Sequence, residues 1–404
     1  MSGPFDGVKV IEVAAWTFVP GAGAIMADLG ADVIKVEPPT GDPQRGLMNM
    51  LNQSGSGPNP FLEVPNRGKR SITVNLASAG GRSVLLKLVK DADVFITSYL
   101  PDLRSRLGIE VEDLRVANPG LIYLRGSGWG SEGPMINVGG YDAAAAWASS
   151  GTLYKLTAPD AEEPVPQPAA FFDLQGSSAI AGAVAMALFK RERTGEPSVV
   201  DVSLLNTGMW TMGPDIAASP FVGEIPRPSR KAPGSPLVNY YLTSDRRWIV
   251  LVCLQADRFW AELCEVIGRP ELADDPKYID ASVRFANREE CVVELDQTFA
   301  QKSLLEWKEI LSTFSGVWAP AQNFDEVHSH VQVEANHYLS ELVASDGTRF
   351  KVVAPPYQFD GAPSTAGRAA PELGQHTEEL MLEAGMDWEA ISAHRESGDL
   401  GSTL

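Results

Sequence analysis

The stretch VKVIEVAAWTFVPGAGAIMADLGADVIKVE, residues 8–37, contains two short runs rich in Val and Ile on either side of a helical stretch. Residues 8–13 and 32–37 are typical of strands, and residues 20–29 have the length and composition of a helix. Two strands joined by a helix form a βαβ unit with parallel strands and a right-handed connection. This unit therefore predicts an α/β fold.

The same alternation continues along the large N-terminal part of the chain. Further strands are predicted at residues 71–76, 94–97, 121–125 and 199–204, and helices at residues 79–90 and 174–190. Strands that alternate with helices favour a parallel sheet covered on both faces, so we predict a Rossmann-like, doubly wound sheet. The helix at residues 174–190 is apolar nearly all round, which is typical of a buried central helix.

Changes in composition and in hydrophobic periodicity divide the chain into segments. Residues 1–212 are predicted to form the large domain, and the proline-rich residues 213–236 a linker. Residues 237–320 are predicted to form a small α+β domain and residues 321–340 a second linker, followed by a C-terminal part at residues 341–404.

Composition and charge narrow the classes of function. Of the 404 residues, 44% are hydrophobic, which is ordinary globular usage and excludes a disordered or coiled-coil protein. The 33 Lys and Arg against 52 Asp and Glu give a net charge of −19. Such a charge repels nucleic acid and anionic membrane surfaces, so we expect neither as a partner. A polyanionic ligand would need a local basic pocket.

The cysteine and histidine content bears on the compartment and on metal binding. Three cysteines without a CxxC pair fit a reducing compartment. The N-terminus lacks the pattern of a signal peptide, and no apolar run reaches about 20 residues, so we expect a cytoplasmic protein without a membrane span. His328, His330 and His337 lack acidic or cysteine partners at ligand spacing, so we predict no metal site.

The stretch GWGSEG, residues 128–133, follows a predicted strand and matches the GxGxxG pattern of dinucleotide-binding loops. In such loops a long helix follows, and an acidic residue about 20 positions further on binds the ribose. Here Pro134 follows at once and no acidic residue stands at that distance. We therefore favour a tight turn, or a turn that brings the backbone close to another ligand. The chain also lacks the GxSxG, P-loop and HExxH motifs.

Asp173 lies in AAFFDL, residues 169–174, directly before the apolar helix. Its position leaves two interpretations open. Asp is a favoured helix N-cap that contributes about 1 kcal/mol, and this role needs no chemistry. Alternatively, the helix dipole keeps the carboxylate ionised while the neighbouring phenylalanines exclude water, as an Asp nucleophile requires.

Several short motifs, taken in their order and spacing, resemble the class III CoA-transferase family, which includes formyl-CoA transferase, carnitine CoA-transferase and the α-methylacyl-CoA racemases. Singly each motif is weak, but together they run almost end to end. They are FDGVKVIEV at residues 5–13, LGADVIKVE at 29–37, NRGKRSI at 66–72, NPGLIY at 118–123, GYD at 140–142, Asp173, RERTG at 191–195 and VDVSLL at 200–205.

The resemblance implies an architecture and a reaction. The large domain would be built from the N- and C-terminal parts of the chain, with the small domain inserted, and two ring-shaped subunits would interlock as a homodimer. The reaction would move CoA from an acyl-CoA to a carboxylic acid. Coenzyme A would be a substrate and no cofactor would be bound permanently.

The resemblance also implies roles for single residues. The nucleophilic aspartate of the family falls on Asp173. The residues that bind CoA fall on Trp16, Thr17, Phe18, Val74, Asn75, Ala77, Ser98, Tyr99, Arg106 and Tyr141. Two basic residues of the family are replaced by Pro38 and Gly139, so Arg104 and Lys69 become candidates for the remaining phosphate contacts.

In the reaction that this resemblance implies, Asp173 attacks the thioester and forms a mixed anhydride, and the CoA thiolate then converts it to an aspartyl-CoA thioester. Backbone N–H groups of the turn at residues 128–133 would stabilise the oxyanions. Three alternatives stay open: an α-methylacyl-CoA racemase, a silent CoA-binding homologue, and a redox enzyme that uses the GxGxxG loop. A racemase needs two bases, and Tyr141 stands where the racemase branch has a histidine, which favours transfer.

Overall fold

The computed structural model describes residues 3–51, 57–362 and 367–401. The chain divides into two compact units. The first unit comprises Met1–Tyr154, Val165–Glu224 and Val331–Leu404, and the second comprises Lys155–Pro164 and Ile225–His330. Lys155–Pro164 had been predicted as part of the large domain. It belongs to the second unit, where Lys155 Nζ donates to the carbonyl oxygen of Pro226 at 2.8 Å.

The first unit contains a six-stranded sheet in which every strand is parallel to its neighbours. Its order, β3-β2-β1-β4-β5-β6, is that of a doubly wound α/β sheet and reverses direction between β1 and β4. The prediction of a parallel α/β sheet is confirmed. The strands are β1 Lys9–Val13, β2 Asp32–Glu37, β3 Arg70–Thr73, β4 Val94–Thr97, β5 Ile122–Ser127 and β6 Val199–Ser203.

Helices cover both faces of this sheet. Because successive side chains of a strand point to opposite faces, Val10 of β1 joins the core on one face and Ile11 joins the core on the other. The helices in this part of the chain are α1 Phe18–Asp28, α2 Leu47–Met50, α3 Pro60–Asn66, α4 Ala79–Lys90, α5 Pro101–Leu107, α6 Val111–Arg115, α7 Thr152–Leu156, α8 Phe171–Thr194, α9 Leu204–Thr211 and α10 Gly213–Val222, with a 3₁₀ turn at Pro43–Gly46 and a π-helix at Ala143–Ala148.

The second unit has its own hydrophobic core around a three-stranded antiparallel sheet. Its elements are β7 Val238–Leu242, β8 Trp248–Val252, α11 Ala256–Val266, a 3₁₀ turn at Pro270–Leu272, α12 Ala281–Ala286, α13 Arg288–Phe299, α14 Leu304–Leu311, β9 Trp318–Pro320 and α15 Phe324–His328. The C-terminal part then adds α16 Val331–Ala335, a hairpin of β10 Leu339–Val343 and β11 Arg349–Val353, α17 Thr377–Glu383 and α18 Trp388–Glu396.

Two segments predicted as linkers contain helices. The stretch at residues 213–236 begins with α10, because Pro214 stands in the first turn, where a missing N–H group costs no hydrogen bond. The stretch at residues 321–340 contains α15 and α16. Proline content was therefore a poor guide to the absence of helix in the first of these segments.

Helix α8 is buried on one face, not all round as its composition predicted. Gly176, Ser177 and Ile180 are buried, and a Cβ atom at Gly176 would collide with the ring of Phe18 on α1. The opposite face exposes Met186 and Phe189. Among the described residues, α8 alone is long and apolar enough to cross a membrane, but the core helix of a soluble protein passes the same test.

Candidate active site

A cleft of about 210 Å³ lies at the carboxyl edge of the sheet, where β1, β4 and β5 end. Doubly wound sheets bind ligands at this edge, where the strand order reverses. Five residues that the sequence assigned to the site line this cleft: Trp16, Phe18, Ser98, Tyr141 and Asp173. The other lining residues are Ala15, Leu100, Gly126, Ser127, Gly128, Gly139, Gly140 and Leu204.

Asp173 lies in the first turn of α8 and is half-buried. Burial, and secondly the charge of Asp142, raise the pKa of its carboxyl from 3.8 to about 7. No group among residues 3–51, 57–362 and 367–401 donates a hydrogen bond to this carboxylate. Burial thus opposes the effect expected of the helix N-terminus, because burial disfavours the charged form of the carboxyl.

Asp142 caps the helix that carries Asp173. One oxygen of Asp142, Oδ2, accepts the backbone N–H groups of Phe172 at 3.0 Å and of Asp173 at 3.3 Å, and the other accepts the side-chain amide of Gln167. Ala170 occupies the N-cap position and offers no side-chain cap. The interpretation of Asp173 as an N-cap is thus wrong, and its carboxylate is left available for chemistry.

Gly128, the first glycine of the GWGSEG stretch, lies where two backbone segments approach closely. A Cβ atom at Gly128 would lie 2.7 Å from the Cα atom of Gly140, so no other residue fits there without a shift. The indole Nε1 of Trp129 donates to the carbonyl oxygen of Gly139 at 3.2 Å. Of the turn at residues 128–133 only Gly128 lines the cleft. The remainder of that turn is therefore a poor candidate for binding an oxyanion.

The loop after β1 forms another wall of the cleft. Trp16 adopts a left-handed backbone conformation with φ of 70°, and its ring packs edge-on against Tyr141 with 5.5 Å between centroids. The N–H group of Ala15 donates to Ser98 Oγ at 3.0 Å. Thr17 is buried and does not line the cleft, because its hydroxyl accepts the side-chain amide of Gln44 at 3.2 Å.

The other residues assigned to CoA binding lie at the same edge of the sheet but outside this cleft. Val74 is buried and pairs with Leu400, and the N–H group of Asn75 donates to the carbonyl oxygen of Asp399 at 2.8 Å. Ala77 is exposed, and Tyr99 is half-buried after β4.

Arg106 differs from the two other candidates for the CoA phosphates. It is exposed on α5 and has no hydrogen-bond or ion-pair partner within the described ranges. Lys69 is fully buried against Glu12, and Arg104 is buried between Glu110 and the carbonyl oxygen of Tyr99. Lys69 and Arg104 are therefore excluded as phosphate ligands, since their charges are used inside the protein.

Within residues 3–51, 57–362 and 367–401 no three His, Cys, Asp or Glu side chains are grouped so that they could hold a metal ion. The two site residues that sequence reasoning missed are Asp142 and Gln167. Asp142 was noticed only as part of the GYD motif. Its capping role depends on a contact 30 positions away in the chain, which no local pattern reports.

Comparisons with known proteins show the family to which this chain belongs. The chain matches the sequence profile of the family described as CoA-transferase family III over residues 5–377. It is 30% identical to the (R)-2-hydroxy-4-methylpentanoate CoA-transferase of Clostridioides difficile, over 97% of this chain and 98% of that protein. It is 29% identical to the succinyl-CoA:glutarate CoA-transferase of Mus musculus, over 94% of this chain and 86% of that protein.

The fold is also similar to that of solved structures. A CAIB/BAIF family protein from Brucella suis superposes with a TM-score of 0.82 at 28% sequence identity. The match covers 95% of this chain and all of that chain. The similarity therefore extends over both compact units and not over the parallel sheet alone.

Proposed function

Because this chain belongs to CoA-transferase family III and is an enzyme of that class, we propose that it moves CoA from an acyl-CoA thioester to a free carboxylic acid through Asp173. One observation carries the assignment to Asp173. Its carboxylate lies in the cleft, is half-buried, and receives no hydrogen bond from any described residue. A partly desolvated carboxylate without hydrogen-bond donors is a good nucleophile once it is ionised.

The proposed reaction begins when an Asp173 oxygen attacks the thioester carbonyl carbon. The carbon–sulfur bond breaks, which yields a mixed anhydride and the CoA thiolate. The thiolate then attacks the Asp173 carbonyl carbon and releases the donor acid, leaving an aspartyl-CoA thioester. The acceptor carboxylate reverses the two steps, so Asp173 is regenerated and the new acyl-CoA leaves. This route needs no cofactor beyond the substrates.

The surroundings of Asp173 fit this sequence of steps. Catalysis must come from keeping the reacting groups dry and aligned and from stabilising the oxyanions. Gly128, Gly139 and Gly140 form a wall of the cleft that Asp173 also lines, and this wall presents backbone without side chains. We assign the oxyanion-stabilising N–H groups to this wall. A racemase would need a second base, and the described residues that line the cleft include no histidine.

We also propose that the enzyme is a homodimer. Trp210 on α9 and Phe221 on α10 are 86% and 87% exposed, and Met186 and Phe189 on α8 are exposed as well. Such residues on neighbouring helices are costly to leave in water and mark an interaction surface. A second copy of the chain is the expected partner, as the family resemblance implies. Sedimentation that shows only monomer at micromolar concentration would refute this.

The test of the function is a product assay. The protein is mixed with an acyl-CoA and a different free acid, and the new CoA ester is followed by mass spectrometry. Asp173→Asn preserves the shape of the side chain but not the nucleophile, so we expect transfer to fall on the order of 10³-fold or more. Incubation with acyl-CoA and hydroxylamine should modify Asp173 in the wild type only. Full activity in the Asn variant would overturn the assignment.

A further inference from the structure

A cluster of buried charges lies directly beneath the loop that carries Trp16. It consists of Glu12, Lys35, Asp42 and Lys69, and all four side chains are withdrawn from water. Lys35 Nζ donates to Glu12 Oε1 at 3.0 Å and to Asp42 Oδ2 at 2.9 Å. Lys69 Nζ donates to both oxygens of Glu12, at 2.9 and 2.7 Å. Two lysines and two carboxylates therefore meet in the cluster, where burial lowers the pKa of Lys69 to about 7.

The cluster bonds to the backbone of the loop as well as to itself. Lys35 Nζ donates to the carbonyl oxygen of Ala14 at 3.2 Å, and Lys69 Nζ donates to that of Pro20 at 2.8 Å. Asp42 Oδ1 accepts the N–H group of Trp16 at 3.2 Å. The chain is thus bonded to buried charged groups at Ala14 before Trp16, at Trp16 itself, and at Pro20 in the first turn of α1.

Trp16 needs such support because of its backbone conformation. A φ of 70° is unfavourable for any residue with a Cβ atom and persists only where the surroundings enforce it. Asp42 accepts the N–H group of this same residue, and Lys35 holds Asp42 in place. Burial tends to lower the pKa of Lys35, but the Glu12, Asp42 and Glu37 carboxylates outweigh this effect and raise it, so Lys35 stays charged.

The geometry points to Asp42 as a positioning residue that, held by Lys35, fixes Trp16 in its left-handed conformation at the cleft. Trp16 in turn packs against Tyr141, the residue next to the carboxylate that caps the helix of Asp173. The inference rests on the proposed function for its effect on catalysis. Its structural part does not depend on that function.

A double-mutant cycle in the full-length protein tests the inference. Asp42→Asn removes the charge that faces Lys35 and should lower kcat/KM for CoA transfer on the order of 10- to 100-fold, because small displacements of positioned groups cost that much. If Asp42 acts through Trp16, the same substitution in a Trp16→Ala background should change kcat/KM by less than about twofold. An equal loss in both backgrounds would overturn the proposal.

The matched control is Asp28→Asn. Asp28 is also a buried carboxylate, pairs with Arg67 at 2.8 Å, and lies at the other end of α1 from the loop. The Asp28→Asn variant should be less stable than the wild type, but its kcat/KM per folded molecule should stay within about twofold of the wild-type value. A loss of activity as large as that of Asp42→Asn would show that any buried ion pair in this region has the same effect, and the specific role of Asp42 would be refuted.

Hydrogen exchange in the wild type covers the case in which Asp42→Asn fails to fold. The N–H groups of Ala15 and Trp16 should exchange slowly although their loop faces the cleft, since Ser98 and Asp42 accept them. Fast exchange there would overturn the positioning role. If no CoA transfer is detected in the wild type, the proposed function fails while slow exchange still supports the structural part.

Discussion

Two sets of buried carboxylates in the same unit differ in what surrounds them. Glu12 and Asp42 receive hydrogen bonds from Lys35, and Glu12 also from Lys69. Asp173 receives none from the described residues and lies beside another carboxylate, Asp142. Charged partners make a buried carboxylate part of the scaffold, whereas their absence makes it energetically unfavourable and chemically reactive. We propose that the first set fixes the wall of the cleft and that the second supplies the reacting group.

The largest expected effect on stability comes from breaking the first set. Glu12→Gln removes the carboxylate that accepts hydrogen bonds from both Lys35 and Lys69, so we expect a loss of about 3–5 kcal/mol in the free energy of unfolding, measured with urea.

The control for Glu12→Gln is a pair at the surface. Glu341 and Arg349 are 51% and 72% exposed, and an exposed pair contributes at most about 1 kcal/mol. Glu341→Gln should therefore leave the urea midpoint nearly unchanged. Equal effects of the two substitutions would show that the buried cluster contributes no more to stability than a surface pair. Charged partners would then not make Glu12 part of the scaffold.

Removing the charge of Asp173 should raise the free energy of unfolding, whereas removing that of Glu12 should lower it. Asp173 has a pKa raised to about 7 in the folded protein, from 3.8, so its contribution to stability is fully present below pH 3.8 and is lost as the pH rises through about 7. Asp173→Asn removes the buried charge. It should stabilise the protein by about 1–3 kcal/mol near pH 8, where the wild-type carboxyl is ionised.

Thermal unfolding at two pH values checks this prediction. The gain from Asp173→Asn should be present at about pH 8 and should shrink markedly at about pH 5, where the wild-type carboxyl is protonated. A variant that is less stable than the wild type at both pH values would mean that the carboxylate has a stabilising partner after all. In that case the contrast with Glu12 would disappear.

The bounds of strands and helices are easier to predict from the sequence than the surroundings of these two sets of carboxylates. Strands β2 and β4 and helix α4 have the predicted bounds. The strands are recognisable because parallel strands buried on both faces are nearly continuous runs of Val and Ile. Lys35 lies inside such a run, and nothing in its immediate neighbours distinguishes a fully buried lysine from an exposed one. Its partner Glu12 lies 23 positions away in the chain.

The site was predictable only where a residue type and its local position coincide with its role. The position of Asp173 before an apolar helix and directly after two phenylalanines pointed to chemistry. That same position also suggested an N-cap, and the structure decides between the two because Asp142, from another segment, does the capping. The candidates Lys69 and Arg104 failed for the converse reason, since their burial follows from tertiary contacts.

A smaller effect, on the affinity for CoA, is expected from substituting Arg106, which lies outside both sets of carboxylates. Arg106 is exposed and has no partner among the described residues, so Arg106→Ala should leave the thermal midpoint unchanged. If it contacts a CoA phosphate, as its place among the CoA-binding residues implied by the family resemblance suggests, the affinity for CoA should fall about 10-fold, and the residual affinity should depend less on salt. Calorimetric titration with CoA measures both quantities. Arg349→Ala, which removes another exposed arginine, should leave the affinity unchanged.

The smallest expected effect concerns the influence of Asp142 on Asp173. If ionised Asp173 is the nucleophile, kcat/KM should fall about tenfold per pH unit below about pH 7. Asp142→Asn keeps an oxygen that can accept the N–H groups at the start of α8 but removes the neighbouring charge. Because burial raises the pKa of Asp173 more than Asp142 does, the profile should move to lower pH by less than about one unit. Asp201→Asn, which removes an exposed carboxylate paired with Arg125, should not move it. A profile that stays in place or moves upward in Asp142→Asn would show that Asp142 acts only as a helix cap, and that burial alone separates Asp173 from the paired carboxylates of the scaffold.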